Sequence, residues 1–155
     1  MDLLVKLYEL PDSAATLKKL HKRGIEVRRA LAPEKNLVVD WVREAFSKAW
    51  ACECEVAFSR LPVTCLIAVD DDALLGFACY DATCKNFFGP TGVDPDYRRG
   101  GVGAALLLSS LQAMAAAGYA YAIIGGVGPI AYYKKIVNAI EIPGSTPGIY
   151  KGMLT

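Results

Sequence analysis

Between Asp94 and Gly118 the chain reads DPDYRRGGVGAALLLSSLQAMAAAG. Arg98, Gly101 and Gly103 stand in the spacing R-x-x-G-x-G, and Gly100 adds a third glycine. Glycine lets backbone approach a ligand closely and adopt positive φ. Successive N–H groups in such a loop form a nest for an anion. A helix that starts there adds unpaired N–H groups and the positive end of its dipole. The chemistry these residues suit is therefore the holding of a phosphate-bearing ligand. Two common phosphate loops are excluded. A Walker A loop needs Gly-Lys-Ser/Thr, but Gly103 is followed by Ala104 and Ala105. A dinucleotide G-x-G-x-x-G begun at Gly101 would need Gly or Ala where Leu106 stands.

The elements that must position this loop follow from the apolar patterning. Phe87 to Val93 reads as a strand leading into it, and an amphipathic helix leads out of it as far as Gly118. Pro90 within that strand marks a bulge or an exposed edge. Tyr119 to Gly126 is nearly all apolar and reads as a buried strand, so strand, helix and strand make a parallel crossover. Gly128 and Pro129 open a short helix through Lys135. Ala139 to Ile142 and Ile149 to Met153 read as a final hairpin around PGSTPG.

Upstream, Leu3 to Tyr8 predicts a first strand. A helix capped by Asp12 or Ser13, with Leu17 and Leu20 inward, ends at Gly24. Gly24 to Pro33 has no clear period. Pro33 opens a second helix with Leu37, Val38, Trp41, Val42, Ala45, Phe46 and Ala49 on one face. Residues 51–61 suit either period, and helix is preferred because a better strand follows at Val63 to Val69. Asp70, Asp71 and Asp72 form a solvated turn before a strand from Leu74 to Tyr80.

Composition narrows the class. A length of 155 residues predicts one domain over residues 1–155, and 54% hydrophobic residues support a full core. A net charge of +1 favours neither nucleic acid nor an acidic membrane surface as partner. No apolar run is long enough to span a bilayer. The start, MDLLVKLYEL, does not read as a signal peptide. Cys52, Cys54, Cys65, Cys79 and Cys84 lack zinc-ligand spacing, and the lone His21 offers no partner for a nucleophilic thiol. Reduced cysteines and no metal, in a cytoplasmic chain, are the expectation.

The stretch VDPDYRRGGVGAALL, with YAIIGGVGPIAYYKK downstream, resembles motif A and the following strand and helix of the GNAT superfamily of N-acetyltransferases. The resemblance covers about half the chain; the first half agrees in element order alone. It implies an α/β (α+β) fold with a mixed, mostly antiparallel central sheet of six to seven strands and helices on both faces. The strands at Phe87–Val93 and Tyr119–Gly126 would lie parallel and splay around acetyl-CoA, the cosubstrate. Arg98, Arg99, Gly100, Gly101, Val102, Gly103 and Ala104 would hold the cofactor diphosphate. The backbone of Thr91, Gly92 and Val93 would meet the pantetheine arm, with the N–H of Val93 left to the oxyanion. The family's aliphatic-Tyr-x-Lys pattern aligns Tyr133 with the acid that serves the leaving thiolate, and Tyr132 is the alternative one residue away.

The chain departs from the family at Gly126, where Asn is common, and at Val137-Asn138, where Gly-Phe is common. The implied activity is acetyl transfer to a primary amine of a small acceptor; the alternative is a non-catalytic acyl-CoA sensor of the same fold. Asp40, Glu44 and Asp81 remain open as general base. The family's acceptor-facing segments correspond to Arg23 to Pro33 and Pro143 to Gly148, where Arg28 and Arg29 suit a carboxylate. A homodimer through the terminal hairpin or an open sheet edge is a further expectation.

Overall fold

The computed structural model describes all 155 residues. Seven strands form one sheet: β1 (Asp2–Lys6), β2 (Ile25–Arg29), β3 (Cys65–Asp70), β4 (Ala73–Tyr80), β5 (Phe87–Val93), β6 (Tyr121–Ile124) and β7 (Ile140–Ile142). Five helices accompany them: α1 (Ala14–Lys22), α2 (Lys35–Ala45), α3 (Lys48–Phe58), α4 (Val102–Ala116) and α5 (Ile130–Val137). The sheet order is β2-β3-β4-β5-β6-β1-β7, and only β5 and β6 run parallel. No helix is long and apolar enough to cross a membrane.

Alternation along the central strands feeds two cores. Leu66 and Ala68 of β3 face α1 and α4, while Cys65 and Ile67 face α2 and α3. The register slips by one residue between the pairs Ala68–Gly76 and Val69–Leu74. Leu75 thereby joins the α4 side, although Phe77 of the same strand faces α2 and α3. On that second side Trp41, Phe46, Trp50 and Phe77 pack ring to ring at centroid distances of 5.3–6.2 Å.

Several expectations are corrected. The residues from Gly24 onward do form a strand, β2, whose ladder with β3 explains its weak period: Arg28 and Arg29 are half-buried. The helix opened near Pro33 does not run on through Ala49. Phe46 leaves helical geometry at φ −129°, ψ −82°, and Ser47 caps a separate α3 by accepting the Trp50 N–H at 3.1 Å. Leu37 consequently points outward and is 65% exposed. Helix α4 is not amphipathic but buried on most sides, because α1 covers the surface that the sheet leaves free. Strand β5 with its Pro90 is central, between β4 and β6, and its ladder with β4 is irregular between Ala78 and Tyr80.

Ile149 to Met153 is not a strand; a short 3-10 turn, Gly148–Tyr150, occupies the segment and β7 pairs with β1 instead. The hairpin expected as a dimer surface therefore does not form, and the open edges are β2 and β7.

The cysteine positions acquire a meaning that spacing alone did not carry. Cys54, Cys65 and Cys79, from α3, β3 and β4, bring their sulfur atoms within 4.8 Å of one another in full burial. Burial pushes the Cys79 thiol well above its ordinary range. All three lie in the core that packs under α2 and α3.

Candidate active site

The glycine loop is shaped before its helix begins. Asp94 Oδ1 accepts the Asp96 N–H at 2.9 Å and closes a 3-10 turn over Pro95–Tyr97. Gly101, the residue before α4, has φ +88°, a left-handed conformation that glycine adopts without steric cost. Val102 is fully buried and anchors the first helical turn. Gly103 is open: a Cβ there would meet only Tyr132 Oη and Val93 Cγ2, both at 3.6 Å.

Three arginines gather at the loop. Arg98 Nε donates to the Val93 carbonyl at 3.2 Å, and Arg99 is exposed. Arg23, at the end of α1, donates from Nη1 to the Gly100 carbonyl at 3.1 Å. A Cβ on Gly100 would come within 2.6 Å of that same nitrogen, so glycine is what lets Arg23 close on the loop. A helix start with converging guanidinium groups is chemically suited to a diphosphate.

Beside the loop the sheet opens. Strands β5 and β6 pair only at Phe87–Ile123 and Phe88–Ile124, then separate. The Asp94 N–H donates to the Leu75 carbonyl at 2.7 Å, and Val93 stands opposite Gly76. Antiparallel alternation then turns the backbone of Val93 and Thr91 away from β4, towards the opening. Thr91 also ties its hydroxyl to the Phe77 carbonyl at 3.0 Å.

Gly92 alternates with them and stands opposite Phe77, so its backbone serves the β4 ladder. Its lack of a side chain matters for another reason: a Cβ would lie 2.4 Å from the Phe46 ring. Gly92→Ala is expected to lose about 1–3 kcal/mol of stability through overpacking, read as a lowered denaturant midpoint with an unchanged slope. An unchanged midpoint would mean that Phe46 yields freely.

On the α3 side of the opening lies a cavity of about 890 Å³. Tyr133 lines it and is 7% exposed, whereas Tyr132 is 37% exposed and aims its hydroxyl at Gly103. The two rings meet edge-on at 5.2 Å. Burial, aided by Tyr132, pushes the Tyr133 phenol up to about 12. An alkyl thiol titrates near ~8.5, so full proton transfer from Tyr133 to a thiolate is uphill by roughly 5 kcal/mol. A phenol so raised can donate a hydrogen bond to a thiolate while keeping its own proton.

The sequence did not indicate the cavity's other polar groups. Glu53 on α3 accepts a hydrogen bond from the Thr83 hydroxyl. Tyr150 also lines the wall; burial, then the charge of Glu53, raises its phenol above the usual range. The floor at Gly125 and Gly126 is shaped by tight contacts. A Cβ on Gly125 would meet the Phe87 ring at 2.8 Å, and Asp2 Oδ1 accepts the Gly126 N–H at 2.9 Å. Gly126 stands where the resemblance anticipates Asn, and its amide is instead held by a side chain from β1. Glu53 and Glu55 alternate with Cys52, Cys54 and Val56, a pattern that gives no sign of which acid faces a cavity.

Other anticipated groups lie elsewhere. Arg28 makes a two-pronged pair with Glu34 at 2.7 and 2.8 Å, and that guanidinium holds the Glu34 carboxyl down to about 2. Arg29 donates to the Val63 carbonyl and to Tyr80 Oη. Neither arginine reaches the cavity. Asp40 is exposed and paired with Arg43, and Glu44 is exposed. Asp81 accepts from the Asn86 N–H at 2.8 Å and from Tyr119 Oη at 3.0 Å, bracing the loop before β5.

Comparison with known proteins agrees with this architecture. The sequence matches the family model described as "Acetyltransferase (GNAT) family" over residues 35–136. No curated protein sequence matches it significantly. Among solved structures, a GCN5-related N-acetyltransferase from Sphaerobacter thermophilus superposes with a TM-score of 0.63 at 18% identity, over 90% of this chain and 47% of that one. The GCN5-related glucosamine N-acetyltransferase region of a fungal multi-domain β-N-acetylglucosaminidase gives a TM-score of 0.71 at 12% identity, over 88% of this chain and 19% of that one. A tandem GNAT protein from the clavulanic acid pathway gives 0.55 at 16% identity, over 89% and 48%. The chain thus spans half or less of the length of these structures, and at such identities they speak for the fold. With a family match across the glycine loop, the β5–β6 opening and Tyr133, the chain belongs to the GNAT family of acetyltransferases.

Proposed function

We propose that the protein transfers an acetyl group from acetyl-CoA to a primary amine by direct attack through a tetrahedral intermediate. The observation that carries this reading is the continuity of the site. An arginine-flanked glycine loop starts α4 on one face of the sheet, and a cavity containing Tyr133 lies on the α3 side. The edge of β5 that parts from β6 joins them. The loop amides from Arg99 to Ala104, with Arg23 and Arg98, suit the diphosphate. The backbone of Thr91 and Val93 suits the pantetheine arm, and the Val93 N–H suits the oxyanion. Tyr133 donates to the departing thiolate. Five free cysteines are consistent with a reducing, cytoplasmic setting.

A polar group and a hydrogen-bond donor inside one cavity favour turnover over a purely sensory role. Calorimetric titration of acetyl-CoA is expected to give saturable binding at one site per chain. Absence of binding at millimolar cofactor would overturn the assignment.

A further inference from the structure

Resting on the acetyltransfer reading, we propose that the acceptor is a small amine with an apolar, uncharged carbon body, docked as its ammonium ion by Glu53. The cavity's charge content carries this. Glu53 is the one ionisable side chain of fixed charge among the lining residues, with no lysine, arginine or histidine to meet an anion. Trp50, Val56 and Phe87 wall it, while Met153 and Leu154, 58% and 94% exposed, stand at its mouth. Thr83 fixes the carboxylate by donating to Oε1, which leaves Oε2 available to an incoming ammonium. An ammonium there makes a charge-assisted hydrogen bond, while the hydrocarbon body is taken out of water by the aromatic and aliphatic wall.

The same wall rejects acids. A carboxylate or phosphate on the acceptor would be desolvated without a cation and placed near Glu53. Arg28 and Arg29, the side chains that would have welcomed such a group, are occupied by Glu34, Val63 and Tyr80 outside the cavity. The volume of about 890 Å³ accommodates an acetyl group together with a ring-sized amine. The balance of the reaction is simple. The ammonium loses a proton to solvent, and the free amine forms the C–N bond to the thioester carbonyl. The C–S bond then breaks, the second nitrogen proton is lost, and the thiolate takes up one proton. One ammonium and one thioester thus yield one amide, one thiol and one proton.

The test uses a matched pair, 2-phenylethylamine and phenylalanine, which differ by a carboxylate. Thioester loss is followed by absorbance, which avoids thiol reagents that would label the exposed Cys52. The expected result is a kcat/KM for 2-phenylethylamine about 10²-fold or more above that for phenylalanine. Glu53→Gln should raise KM for the amine about 10- to 100-fold, with a smaller change in kcat and unchanged acetyl-CoA affinity. Equal or better use of phenylalanine, or unaltered amine kinetics in Glu53→Gln, overturns the proposal.

Calorimetry of each amine with the protein alone gives a second readout. It separates this proposal from the transferase assignment: 2-phenylethylamine must bind and phenylalanine must not, whatever the fate of acetyl-CoA. Binding of neither amine at millimolar concentration also overturns it.

Discussion

Gly103→Val is expected to lower acetyl-CoA affinity at least 100-fold while the protein stays folded. The structure makes Gly103 a better choice than Gly101 for this experiment. Gly101 carries φ +88°, so a β-branched side chain would strain the loop whether or not a ligand bound there. Gly103 is already helical, and a Cβ would sit at ordinary contact distance, 3.6 Å, from Tyr132 Oη and Val93 Cγ2. Valine also suits a helix at least as well as glycine, so the local cost is small. Leu106, Leu107, Leu111 and Met114 are all 0–1% exposed and hold α4 in place independently of the loop.

A cofactor phosphate would feel the change directly. Two methyl groups would stand where its oxygens must approach the first amides of the helix. Calorimetry measures the affinity and thermal unfolding the stability. A variant that binds acetyl-CoA like the parent would reduce the loop to a tight turn between strand and helix.

Tyr133→Phe is expected to lower kcat about 10²- to 10³-fold with acetyl-CoA affinity held. Loss of one preorganised donor to a developing charge has this size. Tyr132→Phe should leave kcat within a few-fold, because its hydroxyl lies over Gly103 and not in the cavity. Normal turnover in Tyr133→Phe, with loss in Tyr132→Phe, would move the donor by one residue.

The phenol titration supplies a signature that does not depend on activity. Tyr133 is raised to about 12 by burial, against about 10 in the unfolded chain. The folded state therefore holds this proton more tightly, and its stabilising contribution is fully present below pH ~10. It is lost as pH rises from ~10 to ~12, amounting to about 2–3 kcal/mol across that window. The phenylalanine variant should lack this alkaline slope in denaturant titrations. Within the active range Tyr133 stays protonated, so no activity limb near neutral pH should belong to it.

Much of the framework was legible because its causes are local. Positive φ at Gly101, a capping Asp94 and a run of apolar residues after the loop act within a few positions of one another. Strand β5 begins and ends where its composition says, and α3 forms over the ambiguous residues because Ser47 caps it. The placement of Tyr133 beside the opening follows from a motif that keeps a fixed distance along one short helix. A break at Phe46 was harder to read. The apolar period continues through it, and the break shows only in the tertiary packing of its ring against Gly92, Trp41, Trp50 and Phe77.

The charged side chains of the site depended on tertiary structure. In sequence, Arg28 and Arg29 are as available as any arginine; in the fold Arg28 is held by Glu34, and Arg29 by the Val63 carbonyl and Tyr80 Oη. Glu53 was not among the candidate acids Asp40, Glu44 and Asp81, yet it faces the cavity because α3 packs over the gap in the sheet. Asp2 reaches Gly126 because β1 lies between β6 and β7, a neighbour relation that strand composition does not encode. The amino-acid order determined the glycine loop, the main elements and the tyrosine pair, since each rests on contacts a few residues apart. Which carboxylate faces the cavity was decided only when β5, α3 and the Thr83 loop came together, because a side chain's partner is set by what folds against it.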